Sequence, residues 1–183
     1  MLKNVSKKRK ILPQRFFNRP TEQVAKELLG KCLVRRVGKK EYARMITDVE
    51  AYIGVEDKAS HASRGKTPRT EVMFGEAGCW YVYLIYGVHY CLNVVTEKKN
   101  YPAAVLIRGV EGITGPGRVT RAFHINKRIN TQKAIPKSGL WIEDRGVVIR
   151  SSKIVRGKRI GVDYAGTWKH RLWRFYISEK DKK

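Results

Sequence analysis

In the stretch Asp48-Val49-Glu50-Ala51-Tyr52 a carboxylate, a second carboxylate and a phenol recur at every other position, and Gly54, Glu56, Asp57 and His61 follow closely. Alternation along a strand puts Asp48, Glu50 and Tyr52 on one face, so acid and aromatic point the same way at the end of a mostly apolar strand. A carboxylate there is either salt-bridged to one of the chain's many arginines or poised as a general base. His61, flanked by small residues Ala59, Ser60 and Ala62, falls in a short helical turn after the strand. It is either a satisfied structural group or part of the same site; the four histidines (His61, His89, His124, His170) lack metal-ligand spacing. Arg108 sits near the end of the apolar run PAAVLIRGV (102–110), where a cation is costly unless it meets an anion. Placed beside Glu50, it explains both charges with one pair.

The element that has to position these groups is CWYVYLIYGVHYCLN (79–93), uncharged, rich in aromatic and β-branched residues, and interrupted by Gly87. This is the pattern of two strands joined by a tight connection. Tyr81, Tyr83 and Ile85 share one face and Trp80, Val82 and Leu84 the other, with Tyr86 beside the glycine at the turn. Tyr86 is either the surface end of a core strand or an aromatic presented to a partner.

The composition narrows the partner. The chain has 183 residues, 42% hydrophobic, enough for one ordinary core and short for two. Its 39 Lys and Arg against 16 Asp and Glu give a net charge of +23, a field that attracts polyanions. Residues 1–40 carry 13 bases and 2 acids, 41–100 carry 7 and 8, and 101–183 carry 19 and 6. Half of the acids therefore lie in the least basic part, as suits an active site beside a phosphate-binding surface better than a protein that only coats nucleic acid. Cys32, Cys79 and Cys91 form no CxxC pair and sit in apolar runs, as reduced core residues do. The first ten residues lack the apolar region of a secretory signal and no uncharged run approaches a membrane span, so an intracellular protein without membrane contact is expected.

Along the chain, residues 1–14 are expected to form a flexible basic arm, able to touch phosphates or simply solvated, followed by a single domain over 15–180. TEQVAKELL (21–29) follows Pro20, stops at Gly30 and predicts a short helix. KCLVRRV and EYARMITDVEAYI, turning at Gly38, predict a hairpin, and residues 63–78, containing Arg69, an irregular loop. Gly115-Pro116-Gly117-Arg118 opens a helix to about His124, suited to a phosphate; no GxxxxGK[ST] or GxGxxG pattern occurs, which argues against a nucleotide cofactor. Short strands WIED, VVIR, IGVDY and WRFYIS complete the pattern. The expected fold is mixed α/β (α+β): one domain with a largely antiparallel, curved β-sheet core and short surrounding helices.

Taken together, VEAYIGVEDKASHA (49–62), TPR (67–69), YVYLIYG (81–87), CLN (91–93), LIRG (106–109), GPGRV (115–119), IGVDYAGTW (160–168) and RFY (174–176) resemble the alkyladenine (3-methyladenine) DNA glycosylase family. The resemblance runs from about Phe17 to Ile177. It implies a monofunctional glycosylase of base excision repair, active on double-stranded DNA as a monomer without metal or organic cofactor, cytoplasmic or nuclear according to host. Tyr86, at the tip of a protruding hairpin, is then the residue that intercalates and fills the gap left by a flipped purine. Tyr52 and Tyr83 are the walls that stack on that base, with His61 completing the pocket and Asn93 discriminating at the purine 2-position. Glu50 is implied as the base that activates water, and Arg108 helps to hold that water, with the Ile160 carbonyl a further candidate. Arg69 and Arg118 are candidates for backbone phosphates. His89 and Asp163 depart from the family pattern: the first bears on how the hairpin tip meets DNA, and the second adds a negative charge expected close to the pocket.

Two other functions fit parts of the pattern. An RNA- or ribosome-binding protein accounts for the charge and the exposed aromatics but leaves Glu50 beside Tyr52 unexplained. A bifunctional glycosylase needs a lysine amine, and across the matching stretches Lys58 alone could supply one.

Overall fold

A computed structural model describes residues 9–178. In chain order the elements are β1 (Lys10–Ile11), α1 (Gln14–Phe17), α2 (Thr21–Leu28), β2 (Cys32–Val37), β3 (Lys40–Ile53), β4 (Trp80–Ile85), β5 (His89–Val95), β6 (Ala103–Val110), β7 (Ile113–Thr114), α3 (Pro116–Ala122), β8 (Leu140–Asp144), β9 (Ile154–Gly157) and β10 (Arg174–Ile177), with several single-turn 3₁₀ segments between them. The strands form one open antiparallel sheet in the order β1-β8-β2-β3-β6-β5-β4, to which β7, β9 and β10 attach. The fold is α+β, as the residue pattern predicts.

The strand β3 organises the sheet. Its first half pairs with β2, and its second half lies between β6 and β10, so that Glu50 stands opposite Leu106 on one side and Arg174 on the other. Val49 and Ala51 point into the main core with Leu28 of α2, Val105 and Ile107 of β6 and Phe175 of β10. Asp48, Glu50 and Tyr52 therefore occupy the opposite face. Two bulges interrupt the β3–β6 ladder. Between Val49↔Ile107 and Asp48↔Gly109 the extra residue is Arg108, and between Asp48↔Gly109 and Ile46↔Val110 it is Thr47. Bulges bend a strand and re-aim side chains next to functional sites; here one is built around the cation inside the apolar run.

The aromatic hairpin forms as expected. Trp80 and Val82 enter the main core, while Tyr81 and Tyr83 face a smaller cluster with Ala62, Met73 and Val95. Ile85 pairs with His89 across the loop Tyr86-Gly87-Val88, in which Tyr86 at φ 51° and Gly87 at φ 70° are both left-handed. That conformation costs an L-residue roughly 1–2 kcal/mol relative to glycine.

Four expectations are corrected. Residues 1–8 of the expected basic arm lie outside the described residues, but Lys10 and Ile11 pair with Asp144 and Glu143 as an edge strand and Leu12 is buried; it is pairing with β8, far along the chain, that fixes them, which no local pattern announces. VVIR (147–150) makes no strand, because β9 lies later, at Ile154–Gly157, where β10 pairs with it. IGVDY is a bend leading into the 3₁₀ segment Asp163–His170, since Gly161 at φ 78° turns the chain out of extended geometry. The loop over 63–78 contains 3₁₀ turns at its start and at Glu71–Phe74.

Candidate active site

Between the hairpin, the end of β3 and the bend at Ile160 lies a cavity of about 490 Å³, whose walls include Tyr52, His61, Tyr83, Asn93, Arg108 and Ile160. That volume suits a single heterocycle with room at the mouth. With Tyr86 at its rim and Glu50 directly beneath the wall, eight of the ten residues singled out from the sequence are brought together here. Glu50 is fully buried, and both of its carboxylate oxygens are occupied: the Ile160 amide donates to Oε1 at 3.0 Å and the Tyr52 hydroxyl to Oε2 at 2.8 Å. Arg108 Nη1 stands 3.5 Å from Oε1. The Ile160 amide thus touches Glu50 directly, a contact that the sequence reading, which named the Ile160 carbonyl as a candidate for the water, did not include. Burial raises the Glu50 carboxyl above its usual range, against the opposing pull of Arg108, the Ile160 amide and Tyr52. Each oxygen keeps a second acceptor direction, so a water entering beside Arg108 can bond to Glu50 without displacing either donor.

Asp48, one register step away, is answered separately. Arg174 grips it with Nε at 3.0 Å and Nη2 at 2.8 Å, while Arg108 Nε is 3.7 Å from Oδ2 and buried without a hydrogen-bond partner. Arg174 thus takes both oxygens of Asp48, and the Arg108 guanidinium lies between the two carboxylates.

The aromatic walls hold one another. His61 meets the Tyr83 ring edge to face at 4.5 Å, and its Nδ1 shares a 2.9 Å hydrogen bond with the Tyr81 hydroxyl. Burial first, then Arg69 and Arg64, lower the His61 pKa to about 4, so the imidazole is neutral at physiological pH. Asn93, buried, donates from Nδ2 to the Tyr81 carbonyl at 3.1 Å, which leaves its side-chain carbonyl free of that bond and on the pocket wall. Among the described residues no group of three or more His, Cys, Asp or Glu side chains is arranged to hold a metal ion.

Tyr86 stands at the rim, and the two arginine candidates lie further out. Tyr86 is 88% exposed at the hairpin tip, with Val88 exposed beside it. Arg69 packs its guanidinium 5.3 Å from the Tyr83 ring centroid, in a polar recess it shares with Lys58 and Arg64. Arg118 does not reach the pocket: it is exposed at the start of α3 near Arg121. His89 packs against Gly117, where a Cβ would fall 3.0 Å from the histidine Cβ, so any larger residue would push His89 back by a few tenths of an ångström. Asp163 is exposed and does not itself line the pocket, but its neighbours Val162 and Tyr164 do, which keeps its charge close by.

Residue types and spacing did not single out three participants. Arg159 and Asp57 form a buried pair behind Tyr52, and Tyr164, 71% exposed, borders both the pocket and the polar recess. Nothing local distinguishes Arg159 among 39 bases. For Asp57 a faint signal existed, an acid following the turn glycine at the end of β3.

The family model described as methylpurine-DNA glycosylase matches residues 15–114 and 111–181 of the chain. A protein of Methanocella arvoryzae is 46% identical over 186 residues, covering 91% of this chain and 92% of the relative. One from Legionella pneumophila (strain Lens) is 46% identical over 175 residues, covering 92% and 94%. One from Myxococcus xanthus is 44% identical over 177 residues, covering 92% and 90%. All three carry the provisional name 3-methyladenine DNA glycosylase.

Proposed function

The chain belongs to the methylpurine-DNA glycosylase family, a DNA repair enzyme that hydrolyses N-glycosidic bonds, and from that premise we propose that it extrudes alkylated or deaminated purines from double-stranded DNA into the pocket described above and releases them with a water activated by Glu50. The observation that carries this is a fully buried carboxylate, held by two donors and faced by an arginine, beneath a pocket walled by Tyr52, Tyr83 and His61.

Extrusion costs a few kcal/mol. The exposed Tyr86, on a strained turn, is suited to fill the vacated stack, and the pocket aromatics return roughly 1–3 kcal/mol per stacked base. Glu50 then takes a proton from a water attacking C1′ as the base departs, help typically worth about 10²–10⁴ in rate. An N-alkylated purine such as 3-methyladenine or 7-methylguanine is already cationic and leaves without a second carboxyl group. Hypoxanthine and ethenoadenine leave less readily, and a neutral His61 is no ready proton donor to them. In this reading the Asn93 amide crowds the exocyclic amino group of normal guanine, which its position on the pocket wall supports. No lysine lines the pocket among the described residues, which supports a monofunctional enzyme. The protein acts as a monomer, with Arg69 and Arg118 on backbone phosphates. No helix among the described residues is long and apolar enough to cross a membrane.

The test is single-turnover base release from duplexes carrying hypoxanthine or ethenoadenine, and from methylated DNA, by wild type and Glu50→Gln. Release by wild type, lost in a variant that still binds, supports the mechanism. Binding without release of any lesion by folded protein would leave a DNA-binding module.

A further inference from the structure

The Arg159 side chain has no exposed surface, and both of its terminal nitrogens are engaged, while Nε is buried without a hydrogen-bond partner. Nη1 and Nη2 hold the Asp57 carboxylate at 2.6 and 2.8 Å, Nη1 also donates to the Ala51 carbonyl at 3.0 Å, and Nη2 to the Trp168 carbonyl at 3.3 Å. Its Cζ lies 4.8 Å from the centroid of Tyr52 and 5.1 Å from that of Trp173. Asp57 is itself fixed by the amides of Ala59 at 3.1 Å and Ile53 at 3.3 Å. A buried ion pair is weak support for stability, because an apolar pair of similar volume often does as well. Its location is more telling. The two groups that donate to Glu50 are the Tyr52 hydroxyl, whose ring packs on this guanidinium, and the amide of Ile160, the next residue in the chain.

We propose that Arg159, clamped by Asp57, is a positioning residue for Glu50: it holds the Tyr52 ring and the Ile160 amide so that both carboxylate oxygens are oriented toward the attacking water. The proposal rests on Glu50 being the base. The other groups that face Glu50 are Asp48 on its own strand, Arg108 on β6, Tyr83 on β4, Cys91 on β5 and Arg174 on β10, and none of them touches Arg159 through a hydrogen bond.

The experiment compares wild type, Glu50→Gln, Arg159→Lys, Tyr52→Phe and the double variant Tyr52→Phe/Arg159→Lys. It measures melting temperature, affinity for lesion DNA and the pH profile of single-turnover release. Lysine keeps the charge but loses the two-pronged grip. Arg159→Lys is expected to slow release about tenfold to a hundredfold, the scale of a reacting group displaced by about 1 Å, with affinity nearly unchanged. Its acid limb should move to higher pH, because a carboxylate with looser donors is easier to protonate. Tyr52→Phe should cost less in the Arg159→Lys background than in wild type, since both act on one contact. A normal rate and acid limb in Arg159→Lys, or additive losses with an unmoved limb, overturns the proposal. Should Arg159→Lys not fold, Asp57→Asn/Arg159→Gln, which leaves no unpaired buried charge, gives the same readouts. Wild type that releases no base, or Glu50→Gln that releases it normally, overturns the underlying mechanism instead, so the two failures are distinguishable.

Discussion

Arg108 is the extra residue of a bulge in β6, and the bulge brings its guanidinium to 3.5 Å from Glu50 Oε1 on the neighbouring strand. Even so, desolvation prevails over this attraction, and the Glu50 carboxyl is harder to ionise in the folded chain than in the unfolded one. Such a group favours the fold at low pH and progressively less as pH rises past its unfolded value. Glu50→Gln should therefore melt no lower than wild type at pH 7, with the difference shrinking toward pH 4, while release falls by about 10²–10⁴. Thermal melts at the two pH values, run beside single-turnover assays, check both halves.

The same raised pKa places the acid limb of the release profile above that of an ordinary glutamate, with activity lost as pH falls through it. Arg108→Gln removes an attraction that lowers the Glu50 pKa, so its limb should lie at higher pH still. A limb that stays in place in Arg108→Gln would detach Glu50 from the rate profile.

At the hairpin tip, Tyr86→Gly removes the aromatic and relieves a left-handed φ of 51°. Its melting temperature should equal or exceed that of wild type, while release from duplex lesions falls by at least tenfold. Fluorescence of 2-aminopurine placed opposite or beside the lesion reports whether extrusion is the step lost.

His61 has a pKa lowered to about 4 from an unfolded value near 6.5. Its sign is opposite to that of Glu50: the unfolded chain takes up the proton first, so the contribution is intact above pH 6.5 and is lost as pH falls toward 4. His61→Gln should show a shallower fall in melting temperature between pH 6.5 and 5, above the range in which most carboxylates titrate.

Arg118 is exposed at the start of α3, outside the pocket. Arg118→Gln should weaken binding equally for all lesions and reduce the slope of log affinity against log salt by about 0.9, the signature of one lost phosphate contact. A change in lesion preference instead would place Arg118 at the base.

Alternation and turn residues were enough to deduce the hairpin 80–95, the strand pair 32–53, the faces of Trp80 and Tyr81, and the shared face of Asp48, Glu50 and Tyr52, because a strand's period of two depends only on neighbouring residues. The order of motifs also identified the residues that surround the pocket. What the sequence could not supply is pairing at long range. That Arg108 is a bulged residue depends on the register of β6 against β3, which no local pattern encodes. That Arg174 bonds both oxygens of Asp48 depends on β10 closing beside β3 from the far end of the chain. Likewise Arg159 and Asp57 meet only after the chain has crossed the sheet, and their buried pairing, not their sequence surroundings, distinguishes them from the solvated charges of so basic a protein.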